Sequence, residues 1–313
     1  MRAISDCYHH DVRISRGLQL LIAVAALAAA LYLYAPARLF ALVVIGRSPA
    51  CPIGKALSSA ENLRRQIELK DRILAASRRL ERDEGFELWD TPRGRFWIPA
   101  GSHYVLPFNL AEQERRIYSL GEIAIRPGDT VLDCGANVGV YTRTALAEGA
   151  AMVVAIEPAR ENIECLRRNF AAEIAQGRVI VYPKGVWDKD DLLTLHVDPD
   201  NSAADSFLIE RPGSHGVEKV PLTTIDKLVA ELSLERVDFI KMDIEGAEVR
   251  ALEGGRATLE RFHPRMAISA YHDRRHPVAV PRAVRAAWSG YRAECGPCAE
   301  AGWSVRPDIL LFR

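Results

Sequence analysis

Acidic residues end three apolar runs of this chain, at positions where a carboxylate could bind a polar ligand. The runs end at Asp133, at Glu157 and at Asp243. If these runs are parallel strands, their carboxyl ends meet at one edge of a sheet, which is where such sheets bind ligands. An ionised carboxylate only accepts hydrogen bonds, so each of these residues would bind hydroxyl or ammonium groups.

The turn after Asp133 narrows the choice of ligand. It reads Asp133-Cys-Gly-Ala-Asn-Val-Gly139, and glycines stand where a backbone approaches a ligand closely or takes a positive φ. The dinucleotide fingerprint G-x-G-x-x-G would need glycine at 137 and 140, where this chain has Asn137 and Val140. The pattern therefore argues against a nicotinamide-dependent oxidoreductase.

A ligand with a cationic amino-acid end and a central ribose fits these positions better. Asp133 suits the ammonium group, and Glu157 is placed to accept hydrogen bonds from two ribose hydroxyls. S-adenosylmethionine has both features, and we expect it to be the cofactor. The alternative is an ordinary turn between a strand and a helix, without a ligand.

The segment 241–248 is the expected reaction centre. Alternation along a strand end places Lys241, Asp243 and Glu245 on one side, and Glu248 begins the next helix. Methyl transfer from a sulfonium needs the acceptor held in line and, for a hydroxyl, a group that takes its proton. We expect Asp243 at the methyl and acceptor site with Glu245 beside it; alternatively, Glu245 and Glu248 only cap the helix and pair with Lys or Arg. Three carboxylates could also bind magnesium, but no metal is predicted because the sequence fixes no geometry.

His272 follows the apolar run Met266–Tyr271. A histidine at a strand end can act as a general base, since its pKa lies near neutral pH. A structural or solvated loop position is an equal alternative for His272. His263 and His276 are expected at the surface.

After Pro127 and Gly128 the sequence alternates between strand and helix patterns. Strands are predicted near 130–134, 152–157, 178–182, 192–197, 236–243 and 265–271, and helices near 139–148, 160–175, 224–233 and 246–261. Such alternation is typical of an α/β protein with a doubly wound, mostly parallel sheet. The tail from Tyr291 to Arg313 is expected to form two strands of an antiparallel edge hairpin.

The N-terminal part has a different character. Residues 18–35 carry no charge, and one membrane crossing needs about 20 apolar residues. We expect a membrane helix here; a cleaved signal peptide and a buried core helix are the alternatives. Further along, a charged helix is predicted over 57–83, a β-hairpin over 86–99 and a helix near 110–120.

Composition bears on partners and on the compartment. The 313 residues include 41 basic and 41 acidic side chains, so the chain has no electrostatic footprint for nucleic acid. Cys134 and Cys165 lie in apolar patterns, where buried free thiols are common, and the scattered cysteines suggest a reduced compartment. Cys295-Gly-Pro-Cys298 has the spacing of a thioredoxin-type redox pair without its context, and we expect a turn with two thiols.

Three stretches together carry a family resemblance, namely 131–142, 220–228 and 237–248. With them the chain resembles the FkbM-type S-adenosylmethionine-dependent methyltransferases, a branch of the class I methyltransferases, over residues 105–313. The resemblance implies a Rossmann-like sheet of seven strands with an antiparallel last hairpin, and methyl transfer usually to oxygen. It does not fix the acceptor.

The resemblance also implies two groups of cofactor-binding residues. The first group surrounds the amino-acid end and the ribose: Asp133, Gly135, Ala136, Asn137, Gly139, Glu157 and Pro158. The second group lies at the adenine and the methyl: Gly185, Val186, Trp187 and Asp243. Trp187 would stack on the base or, alternatively, be a packed core aromatic.

These observations give expectations for the whole chain. Residues 1–50 would be a tail and membrane anchor, residues 51–104 a juxtamembrane helix and hairpin, and residues 105–313 the methyltransferase domain. The expected activity is O-methylation of a small-molecule, saccharide or lipid-linked acceptor, catalysed by Asp243, Glu245 and His272. The domain is expected in the cytoplasm, because the donor is a cytosolic metabolite, and no nucleic-acid partner is expected. A non-catalytic cofactor-binding or scaffold protein with the same fold is the alternative.

Overall fold

A computed structural model of the protein describes residues 15–197, 205–209 and 215–313. Its helices are α1 (Arg16–Leu33), α2 (Ala35–Val44), α3 (Ile53–Leu57), α4 (Ser59–Ala75), α5 (Val105–Glu114), α6 (Val140–Ala147), α7 (Arg160–Asn169), α8 (Ala171–Ala175), α9 (Ile225–Glu231), α10 (Glu248–Glu253), α11 (Arg256–Phe262) and α12 (His276–Ala287). Its strands are β1 (Arg78–Asp83), β2 (Phe86–Thr91), β3 (Gly94–Pro99), β4 (Thr130–Cys134), β5 (Met152–Ile156), β6 (Val179–Tyr182), β7 (Gly185–Val186), β8 (Asp191–Val197), β9 (His215–Thr223), β10 (Phe239–Met242), β11 (Arg265–Ser269), β12 (Ala293–Cys295), β13 (Cys298–Glu300), β14 (Val305–Pro307) and β15 (Ile309–Phe312).

The main sheet has seven strands in the order β12-β15-β11-β10-β4-β5-β6. Strand β4 pairs in parallel with β5 on one side and with β10 on the other, and β15 runs antiparallel between β11 and β12. This is the predicted doubly wound fold of the class I methyltransferases, with its antiparallel last hairpin. The strand order reverses between β4 and β10, so a ligand crevice opens at the carboxyl ends of these two strands.

The central strands are buried on both faces because helices cover the sheet on both sides. Every residue of β4 and of β10 is buried. In β4, Leu132 packs on one face of the sheet and Val131 on the other. Two charged residues, Asp133 and Lys241, interrupt these otherwise apolar strands. They lie at the strand ends, beside the crevice.

Several predicted elements differ from the structure. The strand predicted at 192–197 is β8, which pairs with β9 in a separate sheet, β7-β9-β8. The helix predicted over 246–261 is divided into α10 and α11 at Gly254 and Gly255, where a Cβ on Gly254 would stand 2.0 Å from the carbonyl oxygen of Trp187. The tail forms four strands instead of two, with β12 paired to β15 and β13 paired to β14.

A helix and a three-stranded sheet precede the main sheet. Helix α4 ends at Ala75, so the helix predicted over 57–83 is too long, and residues 78–83 form β1 on the edge of the predicted hairpin β2–β3. The β1 sequence lacks the apolar alternation that reveals a strand. A cross-strand ion pair between Arg79 and Glu87 (2.8 Å) helps to hold it. Helix α5 begins at Val105, earlier than predicted.

Helix α1 is long and apolar enough to cross a membrane, by length and composition, and none of its residues is buried in the protein. A signal sequence shares these properties. The next helix, α2, packs Leu39 and Leu42 against Val305 of β14. Arg38 pairs with Glu300 at 2.6 Å. The apolar helix is therefore followed at once by a segment fixed to the C-terminal hairpin.

A disulfide joins Cys51 to Cys298 across a sequence separation of 247. The prediction of two thiols at 295 and 298 is thus wrong for Cys298, because a single sequence does not show which distant cysteines meet. The Cys295 Sγ lies 3.5 Å from the Cys298 Sγ. Cys134 and Cys165 are buried free thiols, as predicted. The disulfide argues against a reduced compartment, where such bonds are rare.

Candidate functional site

The glycine turn after β4 lies directly against the end of β10. Gly135 has a φ of +78°, and a Cβ there would stand 1.9 Å from the carbonyl oxygen of Asp243. Gly139 has a φ of +91°, and a Cβ there would meet the ring of Phe170 at 2.2 Å. Both positions therefore need glycine for conformation and for space. As a result, the backbone of the turn reaches the crevice with no side chain between it and β10.

Glu157 holds this turn from the side of β5. Its Oε2 accepts the backbone N–H of Asn137 at 2.8 Å, and its Oε1 accepts that of Ala159 at 2.9 Å. Burial raises the pKa of the Glu157 carboxyl, although both N–H groups act against it. A carboxylate has about four acceptor sites, so Glu157 can still accept hydrogen bonds from a ligand.

Two cavities meet at this edge of the sheet, a smaller one of about 50 Å³ and a larger one of about 320 Å³. Both are lined by Gly135, Asn137, Asp243 and Glu245. The smaller cavity is also lined by Ile156, Glu157, Pro158, Gly185, Val186, Asp205, Phe207, Ile244 and Ala247. The larger cavity is also lined by Tyr104, Val105, Phe108, Asn109, Glu112, Gln113, Tyr118, Ala136, Val140, Tyr141, Lys241 and Tyr271.

A buried ion pair lies beneath the glycine turn. The Lys241 Nζ is 3.3 Å from the Asp133 Oδ1 and donates to the carbonyl oxygen of Gly135 at 2.8 Å. Thr142 Oγ1 donates to the Asp133 Oδ2 at 2.7 Å. Burial raises the pKa of the Asp133 carboxyl. Burial acts to lower the pKa of the Lys241 ammonium group, but the negative charges of Asp133 and Asp243 outweigh this effect, so the pKa of Lys241 is raised. Removing either partner would leave a buried charge unpaired. Because Lys241 also binds the carbonyl oxygen of Gly135, the pair holds the glycine turn in place beside β10.

Asp243 stands at the junction of the two cavities. Tyr118 Oη donates to its Oδ2 at 3.0 Å, and Tyr271 Oη lies 3.5 Å from its Oδ1. Burial acts to raise the pKa of the Asp243 carboxyl, but the charges of Lys241 and His272 outweigh it, and the pKa is lowered. Asp243 is therefore an ionised acceptor at neutral pH.

His272 lies among three carboxylates. Its Nδ1 is 2.8 Å from Glu248 Oε1, and its Nε2 is 3.2 Å from Glu245 Oε1 and 3.5 Å from Asp243 Oδ1. The same Glu248 Oε1 accepts the backbone N–H of Ile244 at 3.1 Å. Burial acts to lower the pKa of His272, but its bonds to Glu245 and Glu248 outweigh it and raise the pKa well above its ordinary value. The ring is thereby held in one orientation.

Most of the predicted site residues line the two cavities, and Asp133, Gly139, Trp187 and His272 line neither. Asp133 is fully buried and bonded to Lys241 and Thr142, in place of the expected direct contact with an ammonium group. Trp187 is 6% exposed and packs with apolar neighbours. Its ring is therefore the packed core aromatic of the alternative interpretation.

His276 is buried, which corrects the prediction of a surface position. It is 4% exposed, and its Nδ1 lies 3.4 Å from Glu248 Oε2 because α12 packs on α10. Burial lowers the pKa of His276. His263 is exposed, as predicted, and stacks on Trp288. The basic partners of Glu248 in the structure are the two histidines His272 and His276, in place of the Lys or Arg of the alternative interpretation.

Sequence reasoning missed the segment 104–118, which covers the larger cavity. Glu112 lines that cavity, and burial raises the pKa of its carboxyl well above the ordinary value. The rings of Tyr118 and Tyr141 meet edge to face at 5.5 Å, with the Lys241 Nζ 5.7 and 5.9 Å from the two ring centres. The sequence feature that could have indicated Glu112 is a carboxylate within an apolar helix. No sequence feature indicates Tyr118 as a residue of the cavity.

Residues 201–207 are mostly polar and follow a predicted strand, a pattern that predicts a loop at the acceptor pocket. This loop lies partly outside the described residues. Its described end contributes Asp205 and Phe207 to the smaller cavity. Ser206 Oγ donates to the carbonyl oxygen of Glu245 at 2.8 Å. The described end of the loop therefore covers the smaller cavity.

Several known proteins are similar to this chain. It is 26% identical over 166 residues to the 31-O-demethyl-FK506 methyltransferase FkbM of Streptomyces tacrolimicus, and this alignment covers 44% of this chain and 64% of that protein. It is 29% identical over 170 residues to the 2-O-methyltransferase NoeI of Sinorhizobium fredii, covering 50% of this chain and 68% of that protein. The crystal structure of the methyltransferase FkbM from Methylobacillus flagellatus aligns with a TM-score of 0.43 at 18% identity, covering 82% of this chain and 60% of that one.

The first of these relatives is matched over less than two thirds of its length, at 64%. Residues 133–286 match the model of the methyltransferase FkbM domain. This match begins at Asp133 and includes the glycine turn with Asp243 and Glu245, which form the junction of the cavities, and His272 behind them. The domain at residues 133–286 belongs to the FkbM family of methyltransferases.

Proposed function

We propose that this protein is an S-adenosylmethionine-dependent methyltransferase that methylates a hydroxyl group of a small-molecule, saccharide or lipid-linked acceptor. The observation that carries the proposal is the junction of the two cavities at Gly135, Asn137, Asp243 and Glu245. A donor in the smaller cavity and an acceptor in the larger one would meet there.

The smaller cavity offers the groups that bind an adenosine. Glu157 has acceptor sites left for ribose hydroxyls, and Pro158 lies beside it. The backbone at Gly185 lies close to the cavity wall, since a Cβ there would meet Phe207 at 2.9 Å. The ring of Phe207 supplies an apolar surface for a flat base. The buried ion pair of Asp133 and Lys241 would act from beneath, by holding the glycine turn.

Bound S-adenosylmethionine supplies a sulfonium methyl, which is electrophilic without further activation. The protein must hold the acceptor oxygen in line and take its proton. Asp243 and Glu245 line both cavities, so their carboxylates can accept the hydrogen bond of an acceptor hydroxyl and then its proton as the O–CH₃ bond forms and the S–CH₃ bond breaks. The side chain of His272 is 2% exposed, so it would act by positioning these carboxylates.

The walls of the larger cavity favour an acceptor that combines polar groups with flat apolar surface. Tyr104, Phe108 and Tyr271 are exposed at its opening, and Tyr118 and Glu112 lie deeper. Aromatic side chains with a polar end bind such ligands by stacking and by hydrogen bonds. The names of two relatives, 31-O-demethyl-FK506 methyltransferase FkbM and 2-O-methyltransferase NoeI, both refer to methylation of oxygen, which supports an O-methyltransferase.

We also propose that α1 anchors the protein in a membrane with the catalytic part on the cytoplasmic side. The exposed apolar surface of α1 supports the anchor. The cytosolic supply of the donor supports the side, whereas the disulfide between Cys51 and Cys298 favours the opposite side, because such bonds are rare in a reduced compartment. We further propose a division into residues 1–50, 51–104 and 105–313. The last two parts pack together: the Asn169 Oδ1 accepts the backbone N–H of Trp97 at 2.6 Å, and the Asn169 Nδ2 donates to the carbonyl oxygen of Trp97 at 3.0 Å. Protease digestion tests the side: the catalytic part should be cut in inverted vesicles and protected in intact cells.

Calorimetric titration with S-adenosylhomocysteine tests the donor site. We expect one site per chain, with affinity at least tenfold lower in Glu157→Gln because the amide cannot accept from two ribose hydroxyls and the backbone together. Glu161→Gln is the matched control, since Glu161 is exposed on the neighbouring helix α7. Equal affinity of Glu157→Gln and the control would contradict the assignment of the smaller cavity.

Transfer itself is tested by incubating the protein and methyl-labelled donor with membrane and metabolite extracts. We expect a labelled acceptor with the wild type, and a loss of at least 100-fold in rate with Asp243→Asn while donor affinity stays within a few fold. An unchanged rate would contradict the role of Asp243. Donor binding without transfer to any extract would favour the non-catalytic alternative.

A further inference from the structure

We propose that Asp243, Glu245 and His272 form a binding site for one hard divalent cation, such as Mn²⁺ or Mg²⁺, at the junction of the two cavities. The cation would bind two neighbouring oxygen atoms of the methyl acceptor. This inference deepens the proposed methyl transfer and rests on it for the identity of the acceptor. The cation site itself can be tested without any transfer.

The first argument is the spacing of the ligand atoms. One ligand atom from each of the three side chains lies within 4.8 Å of the others. The His272 Nε2 is 3.2 Å from Glu245 Oε1 and 3.5 Å from Asp243 Oδ1. An octahedral cation with bonds of about 2.1 Å separates adjacent ligands by about 3 Å. Two of the three separations are thus close to an edge of such an octahedron, and the third is within 4.8 Å.

The second argument is the orientation of the imidazole ring. Its Nδ1 faces the buried Glu248 Oε1 at 2.8 Å, so a neutral ring carries its proton on Nδ1 and points the Nε2 lone pair at Glu245 and Asp243. A lone pair that faces two anionic oxygens in a buried site is repelled unless a cation or a proton lies between them. A carboxylate that fixes the second ring nitrogen is also the usual support of a metal-binding histidine.

The third argument is access from the cavities. Asp243 and Glu245 line both cavities, whereas His272 lies behind them with 2% of its side chain exposed. A cation held by the three would keep its remaining coordination positions open towards the larger cavity. Those positions suit an acceptor with adjacent oxygens, such as a vicinal diol or a hydroxyl beside a carbonyl. The cation would lower the pKa of the bound hydroxyl and orient its oxygen. Each carboxylate would bind the cation through one oxygen, and a second carboxylate oxygen would take the hydroxyl proton as the methyl group is transferred.

The chemistry of the three ligands indicates the class of metal. Two carboxylate oxygens and one imidazole nitrogen suit Mn²⁺, Mg²⁺ or Fe²⁺ better than the soft ions that prefer thiolates. Mn²⁺ is the most useful probe because its free form is counted directly by electron paramagnetic resonance. The competing interpretation is a protonated His272 that pairs with both carboxylates and leaves no place for a metal.

The experiment is a titration of the chelator-treated full chain, in detergent, with Mn²⁺ alone. We expect one Mn²⁺ per chain, displaced by Mg²⁺, and affinity at least tenfold lower in Glu245→Gln and in His272→Gln. Asp273→Asn is the matched control, because Asp273 is adjacent in sequence but paired with Arg275 at 2.7 Å; its affinity should stay within twofold. If those variants do not fold, Glu248→Gln serves in their place. It keeps all three ligands but removes the carboxylate that faces Nδ1 of His272, and it should lower the Mn²⁺ affinity three- to tenfold.

Two results would overturn the proposal. One is a wild-type chain that binds no Mn²⁺ at 1 mM added metal, which would leave the protonated histidine as the explanation. The other is Mn²⁺ binding that persists equally in every folded variant, which would place the ion elsewhere. Titration with S-adenosylhomocysteine in the absence of metal separates this proposal from the proposed function. A chain that binds S-adenosylhomocysteine but does not bind Mn²⁺ refutes the cation site alone. A chain that binds Mn²⁺ but does not bind S-adenosylhomocysteine refutes the donor site alone.

Discussion

Replacing Gly135 by alanine should move the glycine turn away from β10 and abolish donor binding. A Cβ at this position stands 1.9 Å from the carbonyl oxygen of Asp243, while ordinary contact begins at 3.4 Å, so the turn must shift by about 1.5 Å. The left-handed conformation costs alanine about 1–2 kcal/mol, and a backbone shift of this kind costs about 1–3 kcal/mol more. We therefore expect Gly135→Ala to lower the free energy of unfolding by about 2–5 kcal/mol.

Gly128→Ala is the matched control for this variant. Gly128 has a similar φ of +88°, and a Cβ there would meet nothing within 4 Å. Its cost is therefore the conformational term alone, about 1–2 kcal/mol. Urea unfolding gives both free energies, and calorimetry with S-adenosylhomocysteine gives the affinities, which only Gly135→Ala should lose. If Gly135→Ala is no less stable than Gly128→Ala and still binds the donor, the close approach of the turn to β10 has no role in the site.

Three further changes test other parts of the structure. Burial raises the pKa of Asp308 from 3.8 to about 6, so its ionisation destabilises the fold as the pH rises through this range; Asp308→Asn should match the wild type in urea unfolding near pH 3.5 and exceed it by up to about 3 kcal/mol at pH 7.5. Cys51→Ser removes a cross-link over 247 residues and should cost about 2–5 kcal/mol, with added reductant destabilising the wild type but not the variant. Deleting residues 1–50 removes α1 and α2 and should give a protein that no longer sediments with membranes yet binds the donor; continued sedimentation would exclude a single anchor.

The central strands could be predicted because their signal is local. Strands β4, β5 and β10 are buried on both faces, so each appears in the sequence as a short apolar run bounded by polar residues. Strand β8 has a comparable pattern but pairs with β9 in another sheet. Pairing depends on a second segment of the chain, and no pattern within 192–197 specifies that partner.

Site residues could be predicted where the local sequence alone indicates the role of a residue. Gly135 and Glu157 are such positions, since a left-handed turn and a carboxylate at a strand end are both visible in the sequence. The partners of buried charges were not visible. Asp133 looked available to a ligand because its ion pair with Lys241 forms between neighbouring strands β4 and β10. In the same way, His276 looked exposed because the packing of α12 on α10 is tertiary.

The disulfide between Cys51 and Cys298 turns most of the protein into a covalent ring. The ring closes over a separation of 247 residues and includes the glycine turn, the proposed reaction centre and every strand of the main sheet except β15. A single protease cut anywhere inside the ring leaves both fragments joined, and both remain attached to α1. Such damage would release a fragment from a membrane only after the bond between the two sulfurs is reduced.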